Sequence, residues 1–390
     1  MSRTLLGLER FLSHPPKWAK GARLALLCNQ ASVDARLRHA APLLRERVGK
    51  QLRCLFSPQH GLWGEKQDNM IESQDARDLV TGLPVFSLYG ERRRPTPEQL
   101  SHIDWLLIDL QDVGTRVYTF ATTLAYVMEE AARAGVGVAV LDRPNPIGGE
   151  AVEGNLLRDS CRSFVGAAAL PMRHGLSLGE LAGFFKRELA TNVELEIVPM
   201  RGWRRSMHWP ECGLPWAMPS PNMPTYESAL VYPGQVALEG TNLSEGRGTT
   251  RPFEICGAPY VEPHRLAEAL TSQRLPGVTF RPLYFEPTFQ KWRGEVCGGL
   301  QLHVTNPRRF RPYRTTLALL REVNRLWPRD FAWRQPPYEY EHKRAPIDLI
   351  LGDETLKGRL EAGEPLAEIE ASWRAELAEF RRRRAAHLLY

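Results

Sequence analysis

The chain has 390 residues, 43% of them hydrophobic and 25% charged, with a formal net charge of +6. This composition excludes a disordered or low-complexity chain, and the length exceeds what one hydrophobic core usually holds, so two domains are expected. The modest, dispersed positive charge argues for small anionic ligands and against nucleic acid, and no apolar run is long enough to span a membrane.

At the amino terminus Glu9 and Arg10 interrupt the apolar run 5–12, so the pattern of a secretory signal is missing. The six cysteines are scattered and include no C-x-x-C pair, which together with the terminus predicts a reduced, cytoplasmic protein. Short apolar strands are predicted at 23–28, 52–56, 84–88, 105–110 and 136–141. They alternate with helical patterns at 35–48, 97–102 and 119–133. That alternation specifies an α/β fold, a Rossmann-like domain with a parallel sheet covered on both faces. Polar residues recur just after the strands: Asn29 and Gln30; Ser57, Gln59 and His60; Tyr89; Gln111 and Asp112; Arg143 and Asn145. Open α/β sheets bind ligands at the carboxyl ends of their strands, so five loops on one edge point to a common site.

After 142–149 the texture changes. The second half predicts helices at 178–189, 313–326 and 366–380 and strands at 193–198, 278–285 and 299–305. An irregular segment rich in Trp and Pro lies between 203 and 224. The expected division is a Rossmann-like domain over 1–160 and a second α/β domain over 161–390, with a cleft between them. The arginines at 381–384 follow a helical pattern and read as a solvated helix terminus that complements the negative end of the helix.

Several motifs carry bland readings. Gly175-Leu176-Ser177-Leu178-Gly179 matches a nucleophile elbow but lacks a good preceding strand. Ser177 with Glu180 forms an S-x-x-E capping box, the better reading. The Gly135-x-Gly137 pair precedes a strand, whereas a dinucleotide fingerprint must follow one, and no paired Cys/His metal pattern is present. Chemistry without a cofactor is expected. His60 is either a hydrogen-bonded structural histidine or part of the ligand edge. Asp112 and Arg116 either pair with each other across one turn or aim at a ligand from the strand end. The most informative stretch is 242–254, where Glu245, Arg247, Thr249 and Glu254 stand beside Gly246 and Gly248. It is either a salt-bridged turn or a loop built around a polar ligand.

At these residues the chain resembles the exo-β-N-acetylmuramidases of the NamZ type, a glycoside hydrolase family. The likeness rests on 27–30 (Leu-Cys-Asn-Gln), 56–61 (Phe-Ser-Pro-Gln-His-Gly), 112–116 (Asp-Val-Gly-Thr-Arg), 142–146 (Asp-Arg-Pro-Asn-Pro), 201–203, 219–225, 244–254 and 346–348. It implies release of N-acetylmuramic acid from the non-reducing ends of peptidoglycan fragments, an activity of cell-wall recycling. The family's loop after the second strand commonly reads P-E-H-G, and its glutamate is the leading candidate for a catalytic acid. Here that position is Gln59, and a carboxamide cannot donate a proton as a general acid.

The resemblance leaves room for a substrate-assisted mechanism, in which the 2-acetamido oxygen attacks the anomeric carbon and the protein supplies one general acid. Glu245 is the first candidate for that acid and Glu65 the second. Asp112 is expected to orient the acetamido group, with Gln59 and His60 holding its neighbourhood. Arg247 and Arg116 are candidate clamps for the lactyl carboxylate. Asn29, Tyr118, Asn145, Asn222 and Thr249 complete the expected binding set, and Trp63, Trp216 and Tyr118 are candidate platforms for the sugar face. The expected partner is an amino sugar or peptidoglycan fragment, without nucleic acid, membrane or metal. The alternative, supported by Gln59, is a non-catalytic cytosolic binding protein for muramyl or related amino sugars.

Overall fold

A computed structural model describes residues 3–68 and 70–390. Twelve strands occur among them: β1 (Leu24–Cys28), β2 (Leu52–Ser57), β3 (Ala76–Arg77), β4 (Pro84–Ser87), β5 (Trp105–Asp109), β6 (Gly137–Leu141), β7 (Glu153–Leu156), β8 (Pro171–Arg173), β9 (Leu195–Val198), β10 (Ile255–Ala258), β11 (Val278–Phe285) and β12 (Cys297–Val304). The main sheet has the order β3-β4-β2-β1-β5-β6-β9. Every pairing in it is parallel except β3 with β4. Without its short edge strand β3, this is the strand order of a Rossmann sheet, with the topological switch between β1 and β5.

All five residues of each of β1, β5 and β6 are buried, because the sheet is covered on both faces. On one face Leu8, Phe11, Ala40, Ala41 and Leu44 from helices Gly7–Ser13 and Ala40–Val48 pack on Leu24, Leu26 and Leu107. On the other, helix Phe120–Ala134 joins a core that runs continuously into the second half of the chain through Leu300, Leu320 and Phe380. Gly135 ends that helix in a left-handed conformation (φ 66°), with its N–H donating to the carbonyls of Ala131 and Ala132.

The second half carries an antiparallel sheet of order β10-β12-β11, and β7 pairs with β8 as a two-stranded ribbon. Helices Tyr226–Gln235 and Pro312–Leu326 pack side by side. A Cβ added to Gly234 would fall 2.0 Å from the carbonyl oxygen of Pro312, so this close approach requires glycine.

Three sequence expectations change. β9 pairs with β6, so the main sheet draws on residues beyond 160 that the sequence assigned to the second domain. The predicted helix 366–380 is two helices, Leu366–Ser372 and Arg374–Ala385, meeting at the buried Trp373. Arg384 is not solvated: it is 8% exposed and donates to the carbonyls of Gly149, His174 and Gly175. The capping box at Ser177 and Glu180 forms as the sequence suggests. All six cysteines are free and buried. Among the described residues no helix is long and apolar enough to cross a membrane.

Candidate active site

Beyond the carboxyl ends of β2 and β5 lies a pocket of about 500 Å³, counting its open mouth. Gln59 and His60 line it from the loop after β2, and Val117, Tyr118, Thr119 and Phe120 from the segment after β5. The second half of the chain adds Ser220, Asn222, Met223, Tyr232, Glu239, Arg247, Phe253, Tyr338 and Glu339.

Glu339 is the central group. It sits on a turn in which both Glu339 (φ 45°) and Tyr340 (φ 66°) adopt the left-handed region without glycine. Such backbone is held in place by its surroundings, and it clusters at functional sites. The Tyr338 N–H donates to the Glu341 carbonyl and the Glu341 N–H returns the bond, each at 2.9 Å, which closes the turn. The Glu339 carboxyl accepts from Gln59 Nε2 at 3.1 Å and from the Tyr89 hydroxyl at 2.7 Å. Thr119 Oγ1 donates to Gln59 Oε1 at 2.7 Å, which leaves the Gln59 Nε2 turned towards Glu339. Burial pushes the Glu339 carboxyl up to about 7, with Glu239 adding to the rise and the bonds from Tyr89 and Gln59 opposing it. A carboxyl group so placed carries a proton near neutral pH, which is what a general acid requires.

Beside it runs a chain of charges. Arg247 forks between Glu239 at 2.8 Å and Glu245 at 2.7 Å, and Lys291 reaches the other oxygen of Glu245 at 2.8 Å. The Tyr338 hydroxyl donates to Glu239 at 2.8 Å. Lys291 also donates to the carbonyls of Leu238 and Leu243, which locks the 242–254 loop to the segment before it.

The expectation for Glu245 as acid does not fit these surroundings. Burial alone would raise its carboxyl, but the charges of Lys291 and Arg247 reverse that and hold it at about 2. It is an anion at neutral pH and is absent from the pocket lining. Glu65 is exposed and lies against Gly61, outside the pocket.

Arg116 is no clamp either. Its guanidinium donates to the carbonyls of Asn155 (3.1 Å), Leu170 (3.0 Å), Ile350 (2.9 Å) and Leu351 (2.8 Å), and it is 1% exposed. It therefore ties β7 and the segment before β8 to helix Pro346–Leu351, and among the described residues it pairs with no carboxylate, so neither sequence reading of Asp112 with Arg116 holds. Asp112 accepts from the Gly114 N–H at 2.7 Å and lies 3.7 Å from His174 Nε2, buried and away from the pocket lining. Burial pushes its carboxyl up to about 7.

The remaining expected residues divide. Tyr118, Asn222, Arg247, Gln59 and His60 line the pocket. Asn222 is held there by Gln67, whose backbone carbonyl accepts from it at 2.9 Å and whose amide donates to it at 3.1 Å. His60 Nδ1 faces the Lys66 carbonyl at 2.7 Å, so it carries the proton and leaves Nε2 as an acceptor. Burial lowers the imidazole to about 4, so it stays neutral. Asn29, Asn145 and Thr249 do not line the pocket. They donate to the carbonyls of Pro219, Leu176 and Gly246 respectively, which are structural roles. Trp63 lies outside on His39, and Trp216 is packed on Trp209 with its indole donating to the Met223 carbonyl. The sequence reading missed Glu339, Glu239, Tyr338 and Tyr232. Among the described residues no group of three or more His, Cys, Asp or Glu side chains could hold a metal ion.

Comparison with known proteins fits this architecture. Residues 24–227 match the family described as exo-β-N-acetylmuramidase NamZ, N-terminal, and residues 230–390 match its C-terminal counterpart. The chain belongs to the NamZ family. A NamZ relative, the peptidoglycan β-N-acetylmuramidase NamZ of Bacillus subtilis (strain 168), is 41% identical over 384 residues, covering 98% of this chain and 91% of its own. Two solved structures of DUF1343 family proteins from Bacteroides fragilis NCTC 9343 superpose along the whole chain. One has a TM-score of 0.90 at 33% identity and the other 0.78 at 25%, each over 100% of this chain and 99% of its own. The two halves of the NamZ family meet between residues 227 and 230, ahead of helix Pro312–Leu326 and after the whole main sheet.

Proposed function

We propose that this NamZ-family chain is a glycosidase that releases N-acetylmuramic acid from the non-reducing ends of peptidoglycan fragments, with Glu339 as its general acid. The observation that carries the reading is the buried Glu339 carboxyl, raised to about 7 and held by Gln59 and Tyr89 in the pocket that both halves of the chain build. In the substrate-assisted course, the acetamido oxygen of the bound sugar forms a bond to the anomeric carbon as the glycosidic bond breaks. Glu339 gives its proton to the departing oxygen. Water then adds to the anomeric carbon, Glu339 takes back a proton, and the acetamido group is restored, with net retention of configuration. Glu239, held by Arg247 and Tyr338, takes the role expected of Asp112 and accepts the acetamido N–H. The free, buried cysteines support a reducing cytoplasmic setting, where cell-wall recycling would supply such fragments.

A chromogenic N-acetylmuramic acid glycoside should be cleaved, and far faster than the N-acetylglucosamine analogue. No turnover of either, with saturable binding of N-acetylmuramic acid, would favour the second reading, a binding protein. Gln59 at the position of the family's glutamate is the observation that supports that reading.

A further inference from the structure

A second cleft, distinct in its residues from the sugar pocket, opens between the 147–153 loop, β8, the 205–208 segment and the 308–311 segment, with Arg381 on its rim. It encloses about 840 Å³ counting its mouth, and five arginines line it. Two of these are already neutralised: Arg205 pairs with Glu180 and Arg308 with Glu211. Among the described residues, Arg173, Arg311 and Arg381 have no carboxylate within ion-pair distance. Arg173 is 2% exposed, gives one N–H to the Ile147 carbonyl, and keeps a buried Nε with no partner. On the same wall the Glu153 carboxyl accepts the Arg314 N–H at 2.9 Å, while its other oxygen is buried and has no partner. Burial pushes that carboxyl up to about 7.

A buried guanidinium nitrogen and a buried carboxyl oxygen that both lack partners are costly unless a ligand completes them. An oxyanion does so. It accepts from guanidinium forks, whose planar geometry suits phosphate, and it accepts a hydrogen bond from a protonated carboxyl. We propose that the cleft floored by Arg173 and rimmed by Arg311 and Arg381 binds a phosphate-type oxyanion. Glu150 also lines the cleft, so the excess of cations is modest and a small anion suits it better than a polyanion.

The test is a calorimetric titration of the full chain with inorganic phosphate at low ionic strength, followed by an amino-sugar 6-phosphate. Arg311 and Arg381 are exposed and their side chains bond only to backbone carbonyls, so melting curves of R311E and R381E should show folded proteins before titration. Arg382, exposed and paired with Glu379 outside the cleft, provides the control R382E. The expected result is saturable phosphate binding by the wild type, weakened at least about tenfold by R311E or R381E, as for one charge-assisted hydrogen bond, and untouched by R382E. Tighter binding of the sugar phosphate than of free phosphate would identify an ester as the ligand, and equal binding would identify the free anion. Absence of saturable binding to either ligand, or equal losses in all three variants, would overturn the proposal. E339Q should leave phosphate binding unchanged, so failure here is separable from failure of the glycosidase reading.

Discussion

Replacing Glu339 with Gln tests the chemistry and the electrostatics together. If Glu339 protonates the leaving oxygen, Glu339→Gln should slow turnover of a poor leaving group by about 10²–10⁴-fold, or roughly 3–5 kcal/mol of barrier. An aryl glycoside with an acidic leaving group should lose much less. The wild-type rate should fall as pH rises through about 7, because the required form is the protonated one. Stability supplies an independent readout. The folded-state carboxyl is raised from 4.5 to about 7, so the folded protein binds the proton more tightly than the unfolded chain. Its stabilising contribution is complete below about 4.5 and is lost as pH rises through about 7, an interval worth roughly 3 kcal/mol. Glutamine keeps the shape and never ionises. Its amide must re-pair with Gln59, at a cost of about 1 kcal/mol for one mismatched hydrogen bond. The variant should therefore melt above the wild type at pH 8.5 and at or slightly below it at pH 5. Calorimetric melting at the two values, beside a pH–rate profile, gives both readings. Turnover of the poor substrate within about threefold of wild type, or a melting difference independent of pH, would refute the assignment.

Gln59→Glu places two carboxyl groups at the 3.1 Å contact to Glu339, where they must share a proton, so the fall in rate at alkaline pH should move to higher pH and Tyr89 should keep its bond. Arg116→Ala removes four hydrogen bonds to buried carbonyls, of which those of Leu170 and Leu351 keep another donor, and should cost about 3 kcal/mol or more in urea unfolding. A ligand clamp would instead raise KM at unchanged stability. Glu245→Gln leaves Arg247 and Lys291 short of a partner and should cost about 3–5 kcal/mol at pH 7. Because its folded-state value is depressed to about 2, that difference should shrink as pH falls from about 4.5 towards 2, as acid-dependent melting would show.

The main sheet was legible because a parallel strand covered on both faces must be a continuous apolar run, as in Leu24–Cys28 and Gly137–Leu141. The ligand edge was legible for the same reason, since polar residues after such runs have few other places to go. The short strands β3, β7 and β8 and the sheet strand β10 carry too few residues to show a period. Glu245 was misread because composition says which charges a loop holds and not which charges meet them. Its deciding partner, Lys291, lies 46 residues further on. Arg116 gave no sign that it would meet four carbonyls, two of them more than 230 residues away. Glu339 lies 280 residues from Gln59, on a turn whose left-handed residues are Glu and Tyr and not the glycines that mark such turns in sequence.

Gln59 is then less a loss than a change of partner. A glutamate there would stand against Glu339 in a buried pocket, where two carboxyl groups in contact cannot both ionise, and the proton would be shared between them. A glutamine removes that ambiguity. Its amide donates to Glu339, its carbonyl is held by Thr119, and no second acidic proton is present at this contact. The other acidic side chain in the pocket lining, Glu239, is committed to Arg247 and Tyr338. Proton donation and anion contact are thus assigned to different residues by their surroundings, the same separation of roles that two-carboxyl glycosidases achieve by pushing their pKa values apart. The loop after β2 keeps its place in the site as the group that orients the acid. The acid itself comes from the other end of the chain.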